Sequence, residues 1–556
     1  MKAEETGSVD RIRAKVTREE QAAAELGHTE FARGTRVALV GCFLAVIAAV
    51  PLLQFTLGSR SGAGLGDFGR ELAGLLPEPQ DREAARGLRG AVGLLPTAEA
   101  IKSVEDDWER SSVVGESVLP VVQSFLLTLG QGNEKAYVGR DGWLFYRPDV
   151  DHVTGRGFLE ADVLKRRAVA GQPDPVLAIV DFHRQLSLRG IRLLVVPAPV
   201  KPSVHPEECG GGAAAGPLQN PSFALFMERL RSAGVAAYDP SLDLMAAKAS
   251  AGAAYLKTDT HWTPGAMEAV AAQVAAQARS VAELPPADAG RYKAVEQNLA
   301  GTGDIALMLK SPDRAVRYPE EGVTLRTVTE GQQYWRPSPD AAVLLLGDSF
   351  SNIYSLQPMG WGESAGFAEH LSLQLGLPLD AICRNDAGAH ATREMLAREM
   401  QRGHDRLAGK KLVIWEFAAR ELSSGNWKIL PLTLGEKKSG ELYTPSANAV
   451  VRVQGTVRAA SPVPRPGSVP YKDHIMTIRL SDLESPDDPA AAGREVIVFV
   501  WSKRDHVPTA SSRLRIGDTV EFRLRPWAEV AGQYEAINRS ELDDDDAMLA
   551  DPAWAE

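Results

Sequence analysis

Between residues 175 and 417 the chain alternates helical periods with short runs that are apolar almost throughout. Val176, Ile179, Val180, His183 and Leu186 form one helix face that ends at Gly190, and the run 191–196 that follows is broken only by Arg192. The alternation continues with a helix over 222–233, a strand at 234–238, an alanine-rich helix at 265–282 and a strand at 343–346. Helices near 363–375 and 392–401 and a strand at 411–417 complete it. A strand that is apolar on both sides must be covered on both sides. The pattern therefore predicts a three-layer α/β domain around a mostly parallel sheet. In such sheets functional side chains gather beyond the carboxyl ends of the strands.

Two motifs fall at such ends. The apolar run 341–346 leads into Gly347-Asp348-Ser349-Phe350, which sets a hydroxyl on the turn after a buried strand with backbone N–H groups free to receive an oxyanion. Upstream, Thr258-Asp259-Thr260-His261-Trp262 supplies a histidine base and an aspartate to orient it. Each motif has an ordinary reading as well. Gly-Asp-Ser is a common turn, and Thr263-Pro264 makes the second motif a good helix start, threonine capping and proline at the first position. Together their chemistries complement one another as Ser349, His261 and Asp259 of an acyl-transfer triad. His390 is the rival base, whereas His183 reads as a packed helix residue.

At 556 residues two or more domains are expected. The net charge of −11, with no basic stripe, argues against a nucleic-acid partner. Residues 37–55 run nineteen positions without a charge, the length of a membrane span. A 36-residue polar leader before them favours a signal-anchor over a cleaved signal peptide. The expected order is a cytoplasmic tail at 1–36, a transmembrane helix at 37–56, a stem at 57–130, a catalytic domain at 131–430, a β-rich domain at 445–540 and an acidic tail at 541–556. Everything after the span would lie outside the inner membrane. Cys42 lies in the span, leaving Cys209 and Cys383 to pair or remain free. No cysteine–histidine cluster has metal-ligand spacing.

Asp141-Gly142 between two apolar runs marks a hairpin turn at the start of the catalytic region. After Trp427 the texture changes to β-rich runs at 450–457, 474–480, 494–502 and 518–525 without helices between them. These predict a small barrel or sandwich, of OB type among the options, serving either to bind a glycan or as a packing module.

Five segments taken together resemble the AlgJ/AlgX-like alginate O-acetyltransferases, extracytoplasmic relatives of the SGNH hydrolases. They are the run from Gly139 to Tyr146, the run from Val196 to Lys201, Thr258-Asp259-Thr260-His261-Trp262-Thr263, Gly347-Asp348-Ser349-Phe350-Ser351 and Trp415-Glu416-Phe417. The resemblance covers residues 131–430 and implies Ser349 as nucleophile, His261 as general base and Asp259 as its orienting partner. It implies oxyanion donors at the Ser349 amide and, from the loop 384–388, Asn385 and Gly388. Trp262, Tyr354, Lys201 and Arg420 are candidates for holding sugar, against core packing for the aromatic residues and a structural Glu416–Arg420 ion pair. No cofactor or metal is implied. The implied partners are a polysaccharide acceptor and a multi-span membrane O-acyltransferase that supplies acetyl groups. Three rivals stand beside O-acetyl transfer: an acetyl-esterase acting on a glycan, an acetyl relay to another protein, and a non-catalytic glycan-binding or scaffold protein.

Overall fold

The computed structural model describes residues 32–58 and 113–556, apart from 169–170, 213–215, 386–387, 436–441, 465–468, 470, 536 and 543–550. Nearly all of the expected cytoplasmic tail, most of the stem and the aspartate run Asp543 to Asp546 lie outside the described residues. The chain falls into two compact units, Met1–Val118 and Leu119–Glu556.

In the first unit Arg33–Gly58 is a continuous helix that carries the uncharged run. Its Val37, Leu39, Val40, Phe43, Leu44 and Ile47 side chains are exposed. Side chains at 46 and beyond 49 are outside the description, and among the described residues no helix is long and apolar enough to cross a membrane.

The second unit is built on five parallel strands: β1 (Arg192–Ala198), β2 (Ala236–Ala237), β3 (Val343–Gly347), β4 (Asp380–Cys383) and β5 (Leu412–Ala418), in the order β2-β1-β5-β3-β4. Alternate residues of each strand enter opposite cores. Leu194, Val196, Val343, Leu345 and Ile414 pack beneath the helices Pro264–Val281 and Phe367–Leu375. Leu193, Val195, Leu344, Leu346, Val413 and Trp415 pack against Pro175–Ser187, Phe223–Ser232 and Gly388–Gln401. Each fully buried aliphatic side chain here contributes about 1.5–3 kcal/mol, so apolarity on both sides of the strands is what forces three layers. Helix starts follow local chemistry. Asp174 accepts from the Val176 N–H ahead of Pro175, and Thr263 from the Ala266 N–H ahead of Pro264.

The predicted turn at Asp141-Gly142 joins the strands Ala136–Val138 and Leu144–Tyr146. A second hairpin, Tyr292–Gly301 against Glu321–Glu330, was not foreseen; its first strand is mostly solvated and lacks a clean apolar alternation. The segment 234–238 is strand only at Ala236–Ala237. Cys209 and Cys383 are both free.

Beyond the sheet, Val451–Ala460, His474–Glu484, Val496–Arg504, Ala553–Ala555 and Thr519–Pro526 close into a five-stranded barrel, Greek-key in order and in keeping with the OB type. Two expectations are corrected here. The β domain does not stop at 540, because Ala553–Ala555 pairs with two of its strands. Nor is the extreme carboxyl end a solvated tail: Ala553, Trp554 and Ala555 are buried and bridge the third and fourth barrel strands. Three residues are too few to show a period, and the aspartates before them mask the signal. Trp554 packs on Trp501, Trp527 and Tyr534. Trp554→Ala should destabilise the barrel by about 3–5 kcal/mol, read as a lowered denaturant midpoint of the full chain; an unchanged midpoint would remove this strand from the barrel's stability.

Candidate active site

Ser349 opens the short helix Ser349–Asn352 directly after β3. The turn is fixed from behind. Asp348 accepts from the Phe350 N–H at 2.8 Å and from the Ala418 N–H, at the end of β5, at 2.6 Å. Glu416 on β5 accepts from the Asp348 N–H at 3.1 Å and the Ser351 hydroxyl at 2.6 Å. Burial, and next the Asp348 carboxyl group beside it, push the Glu416 carboxyl well above its ordinary 4.5. The expected Glu416–Arg420 pair does not form: Arg420 Nη1 reaches Asp149 at 3.0 Å, and its guanidinium lies over the Tyr146 and Phe350 rings. Gly388 abuts the turn so closely that a Cβ there would lie 2.2 Å from the Asp348 Cβ.

The segment from Tyr255 to Trp262 doubles back on itself, with the Leu256 N–H donating to the His261 carbonyl at 3.1 Å. Its tip is held by Glu321, which accepts from the N–H groups of Lys257 and Thr258 at 2.8 Å each. The Asp304 carboxylate accepts from the Thr260 N–H at 2.7 Å and the Thr260 hydroxyl at 2.9 Å. Gly303 makes the approach of Asp304 feasible, since a Cβ there would lie 2.2 Å from the Thr258 carbonyl. The result is a hydrogen-bonded row. Asp259 Oδ1 lies 2.6 Å from His261 Nδ1, and His261 Nε2 lies 2.8 Å from Ser349 Oγ. Asp259 also accepts from the Asp304 N–H at 2.9 Å and from Trp361 Nε1 at 3.0 Å. The Phe350 ring stands edge-on to the imidazole, 4.9 Å away. Among the described residues the Ser349 N–H takes no protein acceptor.

Burial raises the Asp259 carboxyl, but the His261 hydrogen bond and charge, with the other donors, bring it below its ordinary 3.8. Burial alone would lower the His261 imidazole; Asp259, then Asp304, reverse this and raise it above 6.5. Burial and the neighbouring Asp259 charge lift Asp304 to about 6.

Ser349, His261 and Asp259 thus come together. Of the other candidates, Asn385 accepts from Asn352 Nδ2 at 2.7 Å and points its own amide at Met359 Sδ, at 3.2 Å. Its successors Asp386 and Ala387 are outside the described residues. The expectation that Trp262, Tyr354 and Lys201 hold sugar is corrected, because all three are fully buried. Trp262 Nε1 donates to the Phe350 carbonyl at 3.1 Å, and Tyr354 donates to the Trp262 carbonyl at 2.6 Å. Lys201 donates to the carbonyls of Leu144 and Lys257, at 2.6 and 3.1 Å. They brace the His261 segment instead. Arg420 is the least enclosed of the four, with 13% of its side chain exposed, but its guanidinium is held by the buried Asp149. His390 faces Glu394 across one helix turn. Asp304, Trp361 and Glu321 were not foreseen. Gly360-Trp361-Gly362, a tryptophan between two glycines with positive φ, was the one local signal.

Asp259, His261 and Asp304 have donor atoms within 4.8 Å of one another, the spacing of a metal site. Those atoms are already engaged with each other and with Ser349, Thr260 and Trp361.

A parallel three-layer sheet with this row at its carboxyl edge defines an SGNH-like α/β protein. The family described as SGNH hydrolase-like domain, acetyltransferase AlgX, matches residues 136–419, more than half of the chain, and the chain belongs to that family. It is similar to the probable alginate O-acetylase AlgJ of Pseudomonas aeruginosa, 26% identical over 295 residues that make up 52% of this chain and 71% of the relative. The probable AlgJ of Azotobacter vinelandii is 26% identical over 305 residues, 53% of this chain and 71% of the relative. Among solved structures it is similar to the O-acetyltransferase domain of Pseudomonas putida AlgJ, with 23% identity and a TM-score of 0.40 over 52% of this chain and 93% of that one.

If His261 is the base, it must be neutral to take the serine proton, so acyl transfer should fall on the acid side with a midpoint above 6.5. Asp259→Asn, which loses the orienting charge, should lower the rate by about 10³–10⁴-fold. A rate unchanged between about pH 5 and 8 would remove His261 from that role.

Proposed function

We propose that this chain is a serine-dependent O-acetyltransferase that moves an acetyl group through acetyl-Ser349 onto hydroxyls of an exported polysaccharide. The observation that carries the proposal is the buried row Asp259–His261–Ser349 in a domain of the AlgX family. Curated relatives named as probable alginate O-acetylases support the reaction type. In the first half-reaction Ser349 Oγ attacks the donor's acetyl carbonyl while His261 Nε2 takes the hydroxyl proton. The Ser349 N–H faces the developing oxyanion, with the Asn385–Gly388 loop next to it. Collapse expels the donor's oxygen or sulfur, which leaves with the proton from His261. In the second half-reaction a sugar hydroxyl gives its proton to His261 and attacks acetyl-Ser349, releasing the O-acetyl sugar and returning the proton to Ser349. Arg420 would meet acceptor at the rim of the site.

The nineteen-residue uncharged run inside the helix Arg33–Gly58 supports a single-pass inner-membrane anchor. In this reading the catalytic domain is extracytoplasmic. Acetyl groups arise in the cytoplasm, so a multi-span membrane O-acyltransferase would hand them across. Water attacking the same acetyl-enzyme would make an esterase, and a binding or scaffold role needs no acetyl-enzyme at all.

The test uses the full chain in detergent with p-nitrophenyl acetate and a panel of oligosaccharides, products followed by mass spectrometry. Wild type should acetylate at least one oligosaccharide, and Ser349→Ala should lose about 10³-fold or more of the activity. Acetate alone, with no sugar ester, would favour the esterase. Equal signals from both proteins would leave the binding role.

A further inference from the structure

The barrel reaches the acyl-transfer site through one short segment. Outside the barrel core, Ile475, Phe499 and Trp501 present an apolar face, and Trp527, Val530, Tyr534 and Ile537 pack onto it. The sheet face that a barrel of this type offers to ligands is thereby occupied by the chain's own connection. That connection then runs as Arg539–Ser540 alongside the second barrel strand, with the Ile475 N–H donating to the Asn538 carbonyl at 2.9 Å. Its other side lies on the catalytic domain. Arg398, on the helix Gly388–Gln401, meets Glu541 at 3.3 Å, and Glu541 also accepts from Arg539 at 2.8 Å. Arg384, directly after β4, donates from its side chain to the Arg539 carbonyl.

At the centre of this contact, Asn538 Oδ1 accepts the Asn385 backbone N–H at 3.2 Å. Asn385 Oδ1 in turn accepts from Asn352 Nδ2 at 2.7 Å, and Asn352 ends the one-turn helix that Ser349 begins. Two hydrogen bonds therefore connect the barrel to the nucleophile's helix by way of the loop beside it. Asn538 is 3% exposed, and its Nδ2 finds no acceptor among the described residues. Among the described residues, the polar contact that places this side chain is the one its Oδ1 makes with the Asn385 N–H.

We infer that Asn538 is a positioning residue through which the carboxyl-terminal barrel sets the Asn385 loop against the Ser349 helix, making the barrel a working part of the acyl-transfer site. The inference rests on the acyl-transfer reading of that site. A shift of Asn385 would pass through Asn352 to the one-turn helix that carries Ser349, and a misplaced Ser349 lowers turnover more than substrate binding.

The experiment compares the full-length wild type with Asn538→Ala, Asn538→Asp and Leu483→Ala. The last variant truncates a buried barrel-core side chain that belongs to neither site nor contact. Turnover of p-nitrophenyl acetate is read together with hydrogen exchange at the Asn385 amide. Asn538→Ala should lower kcat about 10-fold with KM within twofold, and should speed exchange at Asn385. Asn538→Asp, which keeps the acceptor oxygen, should restore most of both. Leu483→Ala should leave both near wild type at temperatures where the barrel remains folded. Wild-type kcat in Asn538→Ala, or an equal loss in Leu483→Ala, would overturn the positioning role. If Ser349→Ala matched wild type in the same assay, the acyl-transfer reading itself would fail, whatever the exchange at Asn385 showed.

Discussion

The site depends on one buried carboxylate. Asp259 lies in an interior where an unpaired charge would be prohibitively unfavourable, and it is held ionised by four N–H donors: the His261 backbone and ring, the Asp304 backbone and Trp361 Nε1. The four donors come from three elements. Trp361 ties in the glycine-flanked loop, Asp304 the short helix that begins there, and His261 the doubled-back segment itself. Removing the charge would release all three at once. For that reason the residues that brace the segment are as constrained as those that face Ser349.

This explains which parts of the site could be read from the sequence. Ser349, His261 and Asp259 carry recognisable chemistry, so residue type and spacing nominated them. Only Ser349 follows a strand, however; the expected strand end before Asp259 and His261 is a doubled-back segment after a helix. Trp262 adjoins His261, Lys201 ends a separate segment and Tyr354 follows the serine motif, yet all three point inward. No periodicity distinguishes an aromatic that faces sugar from one that donates to a carbonyl behind the histidine. Their orientation is a tertiary fact, set by the Phe350 carbonyl for Trp262 and by the Leu144 and Lys257 carbonyls for Lys201. Asp304 and Glu321 sit in segments without chemical signature, and Asp304 can close in because Gly303 has no Cβ to meet Thr258.

The fold divides in the same way. The strands β1, β3 and β5 are apolar on both sides, and that property alone dictates cover on both sides and a parallel sheet. By contrast, Tyr292–Gly301 has most of its side chains in solvent, so the rule that identifies buried strands is silent there. Ala553–Ala555 is buried but only three residues long, and its burial arises from the gap between the third and fourth barrel strands rather than from its own pattern.

Two buried carboxyl groups behind Ser349 and His261 are shifted in opposite directions because their partners differ. Both Asp259 and Glu416 are completely buried. Burial raises both, but at Asp259 the donors outweigh it and the carboxyl falls below 3.8, whereas at Glu416 the Asp348 carboxyl group adds to burial and lifts it well above 4.5. Stability should follow the difference. A carboxyl whose folded value is raised binds its proton more tightly in the native state, so Glu416, and Asp304 at about 6, contribute stability at low pH that is lost as pH rises above their ordinary values of 4.5 and 3.8. Asp259, lowered below 3.8, contributes above that value, and its contribution fades as pH falls through the folded value. His261, raised above 6.5, contributes below 6.5 and loses its share as pH rises through the folded value. The share of Asp259 and those of Glu416 and Asp304 therefore trade off across the acid range, and that of His261 is lost above 6.5. The neutral imidazole that the proposed acyl transfer needs lies on that alkaline side. In the proposed acyl transfer, the Asp259 hydrogen bond that raises His261 above 6.5 would also favour the imidazolium formed as Ser349 gives up its proton.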